Sequence, residues 1–254
     1  MPTRQAELLV LKKTKLAETD LIITAFSEEG TQVRAVVKGG RKPGSRLGAH
    51  LELFTRARVL LYSGRTLDTV TEAEAIDLHC GCRQDPEHTA AASALAELLE
   101  GLSRDSDADA RLFYLTDTAF SSLDAAETVG LPLLLAAGLL KQSAQAGFMP
   151  ALAACACCGR EYLARADGDA FSFAQGGVLC ADCQESGGDK GTLMPSGQAA
   201  WLELILRSRF SDLMAYATAD YQPIGQGCLS FCQDWIACHI TRRLRSLDFF
   251  FDLE

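Results

Sequence analysis

The sequence predicts an α+β chain of several parts: a small five-stranded β-domain, then a helical body, with a cysteine-rich element inserted into it. Three observations predict this. Apolar residues alternate with period two up to about residue 80, and from Asp85 they recur with helical spacing. Turn signals such as Ser27-Glu28-Glu29-Gly30 and Ser63-Gly64-Arg65 cut the first part at short intervals. Two Cys-x-x-Cys pairs, Cys155/Cys158 and Cys180/Cys183, interrupt the helical pattern. The implied boundaries are 1–80 for the β-domain, 81–150 with 192–254 for the helices, and 151–191 for the insertion.

The β-domain reads as five segments: AELLVLKKTKL, DLIITAFS, TQVRAVVKG, LELFTRARVLLYSG and TLDTVTEAEAIDL. Five strands in so short a length is the size of an OB-fold, a Greek-key barrel suited to oligonucleotides. An SH3-like barrel meets the same strand count. In the third segment, Val33, Ala35 and Val37 fall on one side and Arg34 and Lys38 on the other. The following GGRKPGSRLG is too rich in Gly and Pro for a regular element and reads as a loop carrying Arg41, Lys42 and Arg46. In the fourth segment Leu51, Leu53, Ala57, Val59 and Leu61 alternate with Phe54, Arg56, Arg58 and Tyr62. Aromatic rings between arginines suit a single nucleic-acid strand, with bases on the rings and phosphates on the guanidinium groups.

The helices follow from caps and stripes. Asp85 is an N-cap with Pro86 behind it, and Leu95, Leu98, Leu99 and Leu102 share a face. The polar run Arg104-Asp105-Ser106-Asp107 ends that helix, and Leu112, Leu115, Ala119 and Leu123 stripe the next. Residues 132–145 are apolar nearly all round, which predicts a central helix. Beyond the cysteines, one helix carries Trp201, Leu204 and Ile205. Another runs from Gln226 to Leu247 and ends in Arg242, Arg243 and Arg245, cations suited to a helix C-terminus.

Charge is the strongest functional signal. The chain of 254 residues has a formal net charge of -9, yet Thr31 to Arg65 holds eight basic residues against one acid, Glu52. Residues 1–80 hold twelve basic against ten acidic residues, leaving twelve against twenty-three for the remainder. A cationic patch on an anionic protein reads as a phosphate-binding surface. Its candidates are Arg34, Lys38, Arg41, Lys42 and Arg46, with Phe54, Arg56 and Arg58 on the sheet face and Lys12 and Lys13 as an extension. The competing account is a strand edge that carries Lys and Arg against aggregation.

Two Cys-x-x-Cys pairs with twenty-one residues between Cys158 and Cys180 are the pattern of one tetrahedral Zn²⁺ site, closed and structural. Cys157 is adjacent to Cys158 and could compete, but the spacing favours Cys158. Glu7 interrupts the first apolar run, so no signal peptide is expected, and Leu131–Leu140 is too short to span a bilayer. A cytoplasmic location and no membrane partner follow as expectations. No phosphate-binding loop, dinucleotide fingerprint, zinc-protease helix or nucleophile elbow is present, and nothing in the sequence argues for an enzyme.

The loop GGRKPGSRLGAHLELF, the helices after it and the cysteine quartet between helices together resemble the bacterial recombination mediator family RecO, over the whole chain. The resemblance implies a non-enzymatic, nucleoid-associated DNA repair protein that binds single- and double-stranded DNA and anneals complementary strands. It implies RecR and the single-strand binding protein SSB as partners, and RecA indirectly. For the acidic tail of SSB, this sequence offers Lys141, Arg207 and Arg209. The alternative from another class is a zinc-ribbon scaffold whose basic patch contacts an acidic protein.

Overall fold

A computed structural model describes residues 3–103, 108–162, 168–186, 189–240 and 243–253. Arg104–Asp107 and Arg242, which the sequence assigns to helix ends, lie outside the described residues. The chain divides into two compact units, one of residues 1–125 with 244–254 and the other of residues 126–243.

The first unit is built on five strands: β1 (Thr3–Lys15), β2 (Leu21–Ser27), β3 (Gln32–Val37), β4 (Arg56–Tyr62) and β5 (Asp68–Asp77). β1 is long enough to pair with β2 through its second half and with β4 through its first. β3 runs parallel to β5 and β5 antiparallel to β4, so the order β1-β2-β3-β5-β4 closes into a barrel. Closure leaves β1 and β4 without a free edge along their shared register. The interior takes Val33, Ala35, Val37, Leu51, Ala57, Val59 and Leu61 from the alternating sets that the sequence marked, and adds Leu8 and Ile23 from β1 and β2.

The strands depart from strict alternation at two places. The β1–β2 register shifts between Val10 and Lys12, a bulge that turns the following residues over. The fourth segment begins as a strand only at Arg56. Before it, Phe54 takes a left-handed φ of 68°, and the turn is tied to the bulge: Phe54 N donates to Val10 O at 2.8 Å and Val10 N to Thr55 O at 3.0 Å. The loop after β3 is also not wholly irregular, because Ser45 caps a short helix, α1 (Arg46–His50), by accepting from Gly48 N at 3.1 Å.

α2 (Pro86–Leu102) and α3 (Ala110–Asp124) belong to this unit, together with α9 (Arg245–Leu253), which packs on α2. Asp85 caps α2 by accepting from His88 N at 2.8 Å, and Glu97 accepts from Ser246 N at 2.9 Å at the start of α9. The second unit holds α4 (Leu131–Gln145), β6 (Asp169–Ser172), β7 (Gly177–Leu179), α5 (Ala181–Ser186), β8 (Thr192–Met194), α6 (Gln198–Arg207), α7 (Phe210–Leu213) and α8 (Gln222–His239). α4 is buried on nearly every face, as its composition predicts, and packs closely on α8. Gly225 permits that approach, since a Cβ there would stand 2.8 Å from Leu133 N.

The single helical body expected over 81–150 and 192–254 is therefore divided between the units. Helical periodicity marks an apolar face but not the neighbour that covers it. The stripe read as one helix from Gln226 to Leu247 is likewise two, since α8 ends at His239 and Arg245 opens α9, so Arg245 stands in a first turn rather than a last. Among the described residues no helix is long and apolar enough to cross a membrane.

Phe54 is almost fully buried and its ring centroid lies 5.3 Å from that of Phe120 in α3. Phe54→Ala should therefore lower the unfolding free energy by about 3–5 kcal/mol in urea melts. A loss under about 1 kcal/mol would contradict this packing.

Candidate nucleic-acid interface and metal centre

The basic loop is shaped by short-range backbone contacts. After β3 the chain turns at Gly39, whose φ is 65° and whose N–H donates to Asp20 Oδ1 at 2.7 Å. Arg41 N donates to Thr19 O at 2.9 Å. Gly48 then comes so close to the Gly40 carbonyl that a Cβ would overlap its oxygen. The Gly39 N–H, the Thr19 hydroxyl and the nearby Lys38 and Lys42 together hold the Asp20 carboxyl below its usual range.

The result is a groove of about 680 Å³ at the mouth of the barrel, floored by Leu21 and lined by Lys13, Lys15, Arg41, Lys42 and Arg46. Glu52 is its one carboxylate, and it pairs with Lys13 at 2.7 Å. Arg41 Nη1 donates to Ala17 O and Glu18 O at 3.1 and 2.8 Å, which orients its guanidinium. Lys15, Lys42 and Arg46 are exposed and make no ion pair among the described residues. No aromatic side chain lines the groove. A surface of this kind offers phosphates charge and gives bases no ring to stack on.

Lys12 and Arg34 lie elsewhere. They flank Thr24 in register across β1, β2 and β3, and line a second cleft of about 470 Å³ with Thr14, Gln32 and Glu100. Lys38 is exposed where β3 ends.

Phe54 is buried and Arg56 half-buried, so neither stands on an open sheet face as the alternation predicts. Phe54 precedes the strand in a left-handed turn, so the alternation that aimed it outward does not apply to it. Arg56 is half-buried, bound to Glu7 at 2.6 Å and Asp117 at 2.8 Å, with its guanidinium carbon 5.5 Å from the Phe113 ring centroid. Burial works to raise the Glu7 carboxyl, but hydrogen bonds from Arg56 and Arg58 outweigh it and hold the group low. At Asp117 the balance is reversed, and burial keeps the carboxyl above its usual range despite Arg56. Arg58 shares Glu7 at 3.2 Å and reaches Glu74 at 3.8 Å while staying half exposed.

In the second unit, Lys141 and Arg207 are each engaged by neighbouring groups. Lys141 Nζ donates to Leu206 O at 2.9 Å and Ser208 O at 2.8 Å, and burial lowers its pKa to about 8. Arg207 pairs with Glu203 at 2.9 Å.

The cysteine element does converge. The ligating sulfurs of Cys155, Cys158, Cys180 and Cys183 all lie within 4.8 Å of one another, and those of Cys158 and Cys180 are 3.8 Å apart. Sulfurs on a tetrahedral ion at the usual Zn–S distance stand about 3.8 Å apart, so the residues fit a metal. The first pair sits on a turn closed by Gly159 N donating to Cys155 O at 2.8 Å, with Gly159 at φ 72°. Bridges Ala154↔Glu161 and Ala151↔Gly177 bring that turn to the second pair, and Gly177 leaves no Cβ to strike the Ala151 carbonyl. Cys157 is exposed and stands outside the quartet. Arg160 donates to Cys158 Sγ at 3.4 Å and lowers its thiol to about 6. Cys183 is pushed up instead, because its protonated thiol donates to Cys180 and Cys158. Four crowded sulfurs resist sharing negative charge, and a divalent cation at their centre removes the conflict.

Two family models match, "Recombination protein O N terminal" over residues 1–79 and "Recombination protein O C terminal" over residues 83–248. The chain belongs to the RecO family. Similar relatives include the DNA repair protein RecO of Frankia casuarinae, 34% identical over 98% of both chains. That of Thermobifida fusca is 32% identical over 94% of both, and that of Desulfitobacterium hafniense 36% identical over 74% of this chain and 67% of its own. In this RecO-family chain, sequence reasoning missed Lys15 and Glu52 as groove residues. The signal was present in the alternation of Lys13 and Lys15, which puts both on one side of β1.

One equivalent of Zn²⁺ per chain is expected, retained by Cys157→Ser and lost from Cys158→Ser, as read by metal analysis after gel filtration. Equal retention by both variants would reject the quartet.

Proposed function

We propose that this chain is a non-enzymatic DNA repair and recombination mediator. In this reading it binds single- and double-stranded DNA at the barrel mouth, anneals complementary strands and, with RecR, helps load RecA onto SSB-coated strands. The observation that carries it is the groove itself, five cations around one carboxylate in a protein of net charge -9. Family membership supports the assignment, and the closed five-strand pairing supports reading the barrel as an OB-fold. Engagement of SSB is proposed on the family resemblance, since Lys141 is held by backbone carbonyls. Action on DNA places the protein in the cytoplasm with the nucleoid.

Annealing needs no covalent step. Groove cations screen the repulsion between phosphate backbones, and the lack of aromatic lining leaves base edges free to pair. The cysteine quartet would hold one structural Zn²⁺, which cross-links the element and contributes on the order of 10 kcal/mol to its folding. Arg160, bound to Asp182 at 2.8 Å, offsets the negative charge of four thiolates from outside.

Lys42→Glu with Arg46→Glu should weaken single-strand binding at least tenfold at low salt and flatten its salt dependence by about 0.7 log units per lost phosphate contact. Unchanged affinity across a salt series would overturn the reading. Preference for an acidic peptide over DNA in competition would favour the scaffold account. Glu52→Gln should act in the opposite direction, raising affinity about twofold to fivefold by freeing Lys13 from its partner.

A further inference from the structure

We infer that the barrel carries a second, weaker polynucleotide site, the cleft of Lys12 and Arg34, which takes the phosphate backbone of a second strand beside the one held at the mouth. The inference rests on the DNA-binding reading and goes beyond it by assigning the two strands of an annealing pair to two clefts.

The outer cleft originates in the β1 bulge. Up to Val10, the inward residues of β1 are Ala6, Leu8 and Val10, and strict alternation would turn Lys12 into the core. The register shift between Val10 and Lys12 moves the chain by one residue. Lys12 then pairs with Thr24, and Thr24 with Arg34, on the outer face of the barrel. Lys13 and Lys15 pair with Ile23 and Leu21, residues of the inner face. Because β1 runs past the core at its end, both sides of this segment are open. One run of sequence, Lys12-Lys13-Thr14-Lys15, thus supplies cations to two different clefts.

The clefts adjoin, since Thr14 lines both. They differ in field. The mouth groove sets five cations against Glu52, whereas the outer cleft sets Lys12 and Arg34 against Glu100. Arg34 is exposed and makes no ion pair among the described residues. The Cα atoms of Lys12 and Arg34 are two strand spacings apart, about 10 Å, a span that a single-strand backbone can follow. Thr14, Thr24 and Gln32 add hydroxyl and amide donors, and neither cleft has an aromatic lining to hold bases. Two backbones would lie on either side of β1 with their bases unoccupied. A strongly held strand beside a loosely held one is the arrangement that annealing favours, since the loose strand can exchange until it finds its complement.

The test is titration of the full chain with a short oligothymidine, followed by annealing of complementary strands. The native protein should take two equivalents, the second at least tenfold weaker and the first to be lost when salt is raised. Lys12→Glu with Arg34→Glu should reduce the count to one and slow annealing at least tenfold, with an unchanged melting temperature showing that the fold is intact. Lys42→Glu with Arg46→Glu should remove the tighter equivalent, and if it does not, the mouth-groove reading fails rather than this one. A single equivalent in the native protein, or an Lys12/Arg34 variant that anneals normally, overturns the second site. Loss of all single-strand binding in that variant also overturns it, because the two clefts would then be one track.

Discussion

The cationic mouth exists because a loop of like charges is held closed by contacts that are not themselves ionic. Two unit charges 4 Å apart repel by about 1 kcal/mol in water, and more where protein replaces solvent. Left alone, Lys38, Arg41, Lys42 and Arg46 would open the loop. The backbone of Gly39 hydrogen-bonds to Asp20, Arg41 N to Thr19 O, and Gly48 lies against Gly40. Of these only Asp20 brings a charge, and its oxygen points at a backbone N–H rather than into the groove. The cations are therefore fixed without being neutralised.

A different solution governs the opposite end of the same basic stretch. Arg56 is drawn between Glu7 and Asp117 and against the Phe113 ring, so its charge ties β1 and β4 to α3. Next to it, His79, at a left-handed φ of 41°, reaches Phe54 O at 2.9 Å and Ser121 Oγ at 3.1 Å, and Arg83 donates to Leu53 O. These contacts hold residues 51–55 in the turn that keeps Phe54 inside. Sequence alternation could not separate the two fates of the basic residues. The period-two pattern holds from Arg56 onward but not before it, and the partners that claim Arg56 stand forty-nine positions earlier and sixty-one later in the chain.

Local determinants were legible and distant ones were not. The barrel strands, the Asp85 cap and the cysteine quartet depend on neighbours in sequence or on a spacing that the metal itself dictates. The division of helices between units depends on which apolar face meets which, and a stripe of Leu and Ala carries no address. The same limit explains why Gln226–Leu247 looked like one helix. Its apolar spacing persists across a break, with Trp235 buried in one unit and Leu247 in the other.

The acidic remainder of the chain completes the physics of the mouth. At physiological salt an exposed charge acts over about 8 Å, so surfaces rich in Asp and Glu repel a polyanion only on close approach. They do not weaken the two cationic clefts of the barrel at a distance. A protein that was basic throughout would hold a strand by many equivalent contacts and release it slowly. Confining the cations to two small clefts of a barrel, with Glu52 already competing for Lys13, would limit the number of phosphates held at once. Because salt-dependent affinity grows with that number, in the proposed annealing role the limit would keep the grip loose enough for a bound strand to leave once its complement has paired.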